Sequence, residues 1–118
     1  MKKILIVDDE PSWRMSLAAQ LKLKGWGVLE AEDGMMGLEM AQQHKPDVIL
    51  TDVQMDVMNG FMMVQNLKDD PDTASIPVIM MTSAAQAAGA WQSDLAAEYL
   101  EKPFTLVKLL EVLGRVVK

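Results

Sequence analysis

The chain has 118 residues, half of them hydrophobic and 24% charged, which gives room for one domain with a sizeable core and argues against intrinsic disorder. Its 11 basic and 17 acidic residues leave a formal net charge of −6, and no basic stripe offsets them, so direct nucleic-acid binding is disfavoured. The absence of cysteine excludes disulfide frameworks, thiolate metal sites and cysteine nucleophiles, and fits a reducing compartment.

Met1-Lys2-Lys3 followed by Ile4-Leu5-Ile6-Val7 imitates the start of a signal peptide, but the apolar run stops at Asp8-Asp9, short of the roughly 7–15 residues such a segment needs. No run approaches the ~18 apolar residues of a membrane helix, so a cytoplasmic protein without a membrane partner is expected. Ile4 to Val7 reads as a strand buried on both faces. Pro11 suits the first turn of a helix, Leu17, Ala18 and Leu21 form its apolar side, and Gly25 closes it. Trp26 to Ala31 reads as a second strand, interrupted by Gly27. After the Asp33-Gly34 turn a helix runs through Leu38 and Ala41 to about His44, which is expected to serve as its C-terminal cap. Val48 to Thr51 is the third strand and ends at Asp52. Asn59-Gly60 signals a turn, and Phe61, Val64 and Leu67 mark the next helix.

Asp70-Pro71-Asp72 breaks the chain again, and Val78 to Met81 forms the fourth strand. The alanine-rich stretch from Ser83 to Glu98 is expected to hold a short helix, followed by a short fifth strand around Tyr99-Leu100. Leu106, Leu109, Leu110 and Leu113 are spaced i, i+3, i+4 and i+7, the pattern of an amphipathic final helix. Strands alternating with helices predict an α/β fold: a doubly wound, five-stranded parallel sheet with helices on both faces. In such sheets ligands bind beyond the carboxyl ends of the strands.

Asp8 and Asp9 follow the first strand directly and Asp52 ends the third. An aspartate after a strand is commonly a helix cap or turn residue, but three at matching strand ends point elsewhere. Three carboxylates so close repel one another unless a proton or a cation intervenes. An all-oxygen site with room for water suits Mg²⁺ or Mn²⁺ better than zinc. Such a cation can hold a phosphate and neutralise charge developing in a transition state, with one carboxylate as nucleophile. Thr82 ends the fourth strand, so its hydroxyl can reach the same pocket, and Lys102 follows the fifth strand just before Pro103. A cis Lys102–Pro103 bond would turn the lysine inward.

Asp8-Asp9, Asp52, Thr82 and Lys102-Pro103-Phe104 together resemble the receiver domains of two-component response regulators, most nearly the stand-alone receiver of bacterial chemotaxis. The resemblance covers the whole chain and implies one receiver domain over residues 1–118, with the flavodoxin-like strand order 2-1-3-4-5. It implies that Asp52 is the phosphoacceptor, charged by a histidine kinase or a histidine phosphotransfer protein. Asp8, Asp9, Asp52 and the backbone carbonyl of Gln54 would hold Mg²⁺ (or Mn²⁺). Lys102 would pair with one phosphoryl oxygen and Thr82 with another, and Tyr99 would be the aromatic switch residue. The signal would appear on the face formed by the helix within 83–98, the fifth strand and the final helix, read by a downstream effector or output domain. In the family, the residues at positions 54 and 84 help set phosphoryl loss. Gln54 can orient a water whereas Ala84 cannot, so slow to moderate self-dephosphorylation is expected, and no enzymatic action on an outside substrate.

Three features depart from the family pattern. The segment from Thr82 to Lys102 is somewhat short, and Ser93-Asp94-Leu95-Ala96-Ala97 replaces the familiar Gly-Ala-Asp turn. Asp56 stands where the family usually has proline. Trp13 and Glu10 are expected near the rim, restricting access or tuning metal affinity. The 11 methionines are expected mainly to fill the core, with a methionine-lined partner groove as the alternative reading. Two other readings compete: a receiver-like interaction module that needs no phosphate, and a flavodoxin-like cofactor binder or metal-dependent phosphatase. The second lacks a glycine- or hydroxyl-rich phosphate loop after the first strand.

Overall fold

The computed structural model describes residues 1–55, 57–83 and 96–117. Most of the segment expected to hold the short helix, together with Ala84 and Asp56, lies outside them. Nine elements are described: β1 (Lys3–Val7), α1 (Pro11–Leu23), β2 (Gly27–Ala31), α2 (Gly34–His44), β3 (Val48–Asp52), α3 (Gly60–Asp69), β4 (Val78–Thr82), β5 (Glu98–Glu101) and α4 (Leu106–Val116). The strands pair in parallel, as the alternating pattern predicts, and in the order β2-β1-β3-β4-β5 that the resemblance implies.

β1, β3 and β4 carry unbroken apolar runs because both faces of the sheet are covered. Along β1, Ile4 and Ile6 pack on one side with Leu17, Ala18 and Leu21 of α1 and Leu109, Val112 and Leu113 of α4. Leu5 and Val7 point the other way, toward Ala41 of α2 and Met63, Val64 and Leu67 of α3. This period-two alternation, repeated by Val48/Leu50 against Ile49 in β3, separates two apolar layers. Each fully buried Leu or Ile contributes about 1.5–3 kcal/mol relative to exposure, so the central strands are the rigid part on which the strand ends are mounted.

Local signals set the helix boundaries. Asp33, Asn59 and Thr105 cap α2, α3 and α4 by accepting the N–H groups of Met36, Met62 and Lys108. α1 has no side-chain cap and starts on Pro11. It closes through Lys24 and Gly25, whose φ of +92° suits a residue without Cβ. At the end of α2 the structure differs from expectation. Lys45 occupies the left-handed cap position with φ 45° and donates to the Ala41 carbonyl, while His44 is only the last helical residue. The methionines also divide. Met63, Met80 and Met81 are fully buried, but Met15, Met35, Met36 and Met62 are exposed, so core filling holds for only part of the set. Helical position decides this: Met35, Met36 and Met62 sit in first turns, away from the apolar stripes that Ala41 and Leu67 continue.

Candidate functional site

The parallel register sets Val7 beside Thr51 and Asp52 beside Met81, so β1 and β3 end side by side. Asp8, Asp9 and Asp52 meet there, each offering a carboxylate oxygen within 4.8 Å of the others. The two neighbouring acids are not equivalent. Asp8 is completely buried, and its Oδ1 accepts the Glu10 N–H at 2.9 Å. Its own N–H donates to Ala31 and its carbonyl accepts Arg14 Nη1 at 2.8 Å, while Arg14 Nε donates to Glu30 at 3.1 Å. The turn after β1 is thereby tied to both α1 and β2. Asp9 is exposed and, with Gln54, Met55 and Asn59, lines an open cleft of about 460 Å³.

Asp52 is fixed from the other side. Its Oδ1 accepts the Val53 N–H at 2.9 Å, and the Gly60 N–H returns to the Val53 carbonyl at 2.8 Å. A Cβ on Gly60 would collide with the Asp52 carbonyl oxygen, so only glycine allows α3 to start this close to the end of β3. Between them, Val57 has φ +69°, a strained conformation for an exposed β-branched residue. A Cβ on Gly34, at the head of α2, would likewise meet the Met58 carbonyl.

Lys102 enters from β5. The Lys102–Pro103 bond is cis, and the ammonium donates to Asp8 Oδ2 at 2.8 Å and lies 3.7 Å from Asp52 Oδ1. Trp13 does not reach over the cleft but packs beside this lysine, with its ring centroid 5.3 Å from the ammonium. Thr82 is fully buried at the end of β4, and its hydroxyl donates to the Leu100 carbonyl at 3.5 Å, a long bond that holds it weakly. Tyr99 is half-buried on β5 and shares a groove of about 510 Å³ with Leu100, Glu101, Pro103, Phe104, Thr105 and Lys108. The strand ends therefore gather Asp8, Asp9, Asp52 and Lys102, with Gln54 on the rim, while the Thr82 hydroxyl turns to Leu100 of β5 and Tyr99 lines the groove beside that strand. Arg14 and Asn59 are additions that the sequence reading missed. Asn59 was legible as a cap, being an asparagine directly before a helical run. Arg14 had no signal beyond its place one turn into α1.

Burial pushes the Asp52 carboxyl up to about 6, and the nearby Asp8 and Asp9 charges push the same way, against Lys102 and the Val53 N–H. One ammonium does not offset three carboxylates. Convergent oxygens of this kind, open to a wet cleft, fit a hard divalent cation that keeps some of its waters. A doubly wound parallel sheet with an acidic, cation-ready pocket and an inward lysine at its carboxyl edge defines a class of phosphoryl-handling α/β domain.

Comparison with known proteins makes the class specific. Residues 4–114 match the family described as response regulator receiver domain, and the chain belongs to that family. It is 41% identical to protein PilH of Pseudomonas aeruginosa, over 98% of both chains. Among solved structures it is similar to the chemotaxis response regulator CheY4 of Vibrio cholerae, with 34% identity, a TM-score of 0.90 and 99% of each chain covered. It is also similar to the receiver domain of the sensor histidine kinase PA1611 of Pseudomonas aeruginosa, with 26% identity, a TM-score of 0.89 and coverage of 98% and 96%. That structure holds a magnesium ion in its active-site cleft. The chain spans less than half the length of several other curated relatives that it matches.

The chain is accordingly a phosphorylation-dependent signalling switch of two-component systems, and the reading as a phosphate-independent module is not favoured. Receiver domains bind Mg²⁺ at an acidic pocket and work with histidine kinases or phosphotransfer proteins and downstream targets; they are not enzymes acting on outside substrates. No helix among the described residues is long and apolar enough to cross a membrane.

Proposed function

We propose that Asp52 is the phosphoacceptor of this chain and that residues 1–118 act as one receiver unit, in the cytoplasm. The observation that carries the reading is the position of its carboxylate, flanked by two further carboxylates within 4.8 Å and facing the Lys102 ammonium at 3.7 Å. In the reaction an Asp52 oxygen forms a bond to phosphorus as the bond from phosphorus to the donor's imidazole nitrogen breaks, and the leaving nitrogen keeps the electron pair. Asp8, Asp9, Asp52 and the Gln54 carbonyl are the proposed ligands of Mg²⁺, which when bound neutralises charge on the phosphoryl oxygens. Lys102 pairs with one phosphoryl oxygen, and the weakly held Thr82 hydroxyl is free to turn to another. Departure of that hydroxyl from β5 gives Tyr99 room to move, and the groove beside β5 and α4 carries the change to a partner. Gln54, exposed on the rim, can orient a water, whereas the methyl group of Ala84 cannot, so slow to moderate self-dephosphorylation is expected.

The test is direct. The full chain is incubated with Mg²⁺ and a small acyl phosphate, and intact mass is recorded. A gain of one phosphoryl group, lost in Asp52→Asn, is the expected result. No gain at any Mg²⁺ concentration would overturn the assignment.

A further inference from the structure

Lys102 is held by charge on the side of the acids, and unequally: Asp8 Oδ2 lies at 2.8 Å and Asp52 Oδ1 at 3.7 Å. The same ammonium stands over the indole of Trp13, 5.3 Å from the ring centroid. Trp13 is itself fixed at three points. It belongs to the first turn of α1, which Pro11 starts. Its Nε1–H donates to Met81 Sδ on β4 at 3.3 Å. Its ring meets Phe104, two residues beyond Lys102, edge to face at 5.2 Å and 86°. One side chain from α1 thus joins β4 to the loop that carries the lysine.

We propose that Trp13 is a positioning residue for Lys102, holding the ammonium between Asp8 and Asp52 so that it is in place when a phosphoryl group arrives. The inference rests on Asp52 being the phosphoacceptor. Its physical basis is that lysine is a point charge on a flexible four-carbon stem, and a salt bridge to Asp8 alone leaves the ammonium following Asp8. An aromatic face attracts a cation through its quadrupole without bearing a formal charge. That attraction persists whatever charge Asp8 and Asp52 carry, and it does not compete with a phosphoryl oxygen for the lysine. Trp13 also packs against the apolar layer beneath α1, so a merely space-filling role must be separated from a positioning one.

Three variants of the full chain separate them: Trp13→Leu and Trp13→Met keep apolar bulk without a ring, and Trp13→Phe keeps the ring. With saturating Mg²⁺ and a small acyl phosphate, the ringless variants are expected to gain the phosphoryl group about tenfold more slowly than the parent and Trp13→Phe within about threefold, while Mg²⁺ affinity changes less than about twofold. A second readout needs no phosphorylation. The ε-methylene protons of Lys102 are expected to be displaced upfield by the ring in the parent and in Trp13→Phe, and to return to ordinary lysine values without the ring. Equal rates in all variants, a phenylalanine variant as slow as the leucine one, or ordinary ε-proton shifts in the parent would each overturn the proposal. A parent that takes up no phosphoryl group at all would instead sink the assignment of Asp52, leaving the proton shifts to decide whether Trp13 holds the lysine.

Discussion

The two ends of the sheet follow opposite rules. At the amino ends of the strands, basic residues sit where helix dipoles favour them: Lys22, His44, Lys68 and Arg115 lie in the last turns of α1, α2, α3 and α4. Lys2 and Lys24 line a shallow hollow there with Gly25 and Trp26. At the carboxyl ends, Asp8 is buried, Asp9 and Asp52 crowd it, and Val57 bends into a strained conformation. The first end is arranged for stability. The second accepts the electrostatic cost of bringing three carboxylates together, which is where local rules are expected to fail in a functional protein.

Substitutions can test how sharp that contrast is. The largest expected effect is at Gly60→Ala, where the new methyl meets the Asp52 carbonyl; a loss of about 4 kcal/mol in urea unfolding is expected. Lys102→Ala removes the partner of buried Asp8 and should cost about 3 kcal/mol, with much of the loss recovered when Mg²⁺ is added. A loss that Mg²⁺ leaves untouched would mean that the acids are not what the lysine opposes.

Asp52→Asn should have the opposite sign. The unfolded chain releases this proton near 3.8, whereas the folded form keeps it up to about 6. Between those values the folded state binds more protons, so stability falls as pH rises through the window, and above it the ionised carboxylate is a net burden. Allowing for solvent screening, the variant should be more stable than the parent by about 1 kcal/mol at pH 7.5, with no gain below about pH 4. Urea midpoints at the two pH values decide this. The smallest effect belongs to Lys22→Ala at the other end, where only a dipole interaction at an exposed site is lost, near the limit of detection. A large loss there would erase the contrast between the two ends.

Much of this was legible in the sequence. Ile4-Leu5-Ile6-Val7 and Val48-Ile49-Leu50-Thr51 are strands because both sheet faces are covered, and the acids that follow them fall together because β1 and β3 pair. What the sequence could not separate is Asp8 from Asp9. They are adjacent and chemically identical, yet one is fully buried against Lys102 and the other lines the cleft, a difference set by which way the chain turns toward Pro11. The partners of Trp13 are equally illegible in the sequence, because Met81, Lys102 and Phe104 come from distant parts of the chain. The exposed methionines were misjudged because hydrophobic type alone does not say which side of a first turn faces water.

Gly34 lets the head of α2 sit against the Met58 carbonyl, closer than any residue with a Cβ allows. A side chain at position 34 would therefore wedge α2 away from the chain that enters α3, on the flank of the cleft that Asn59 lines.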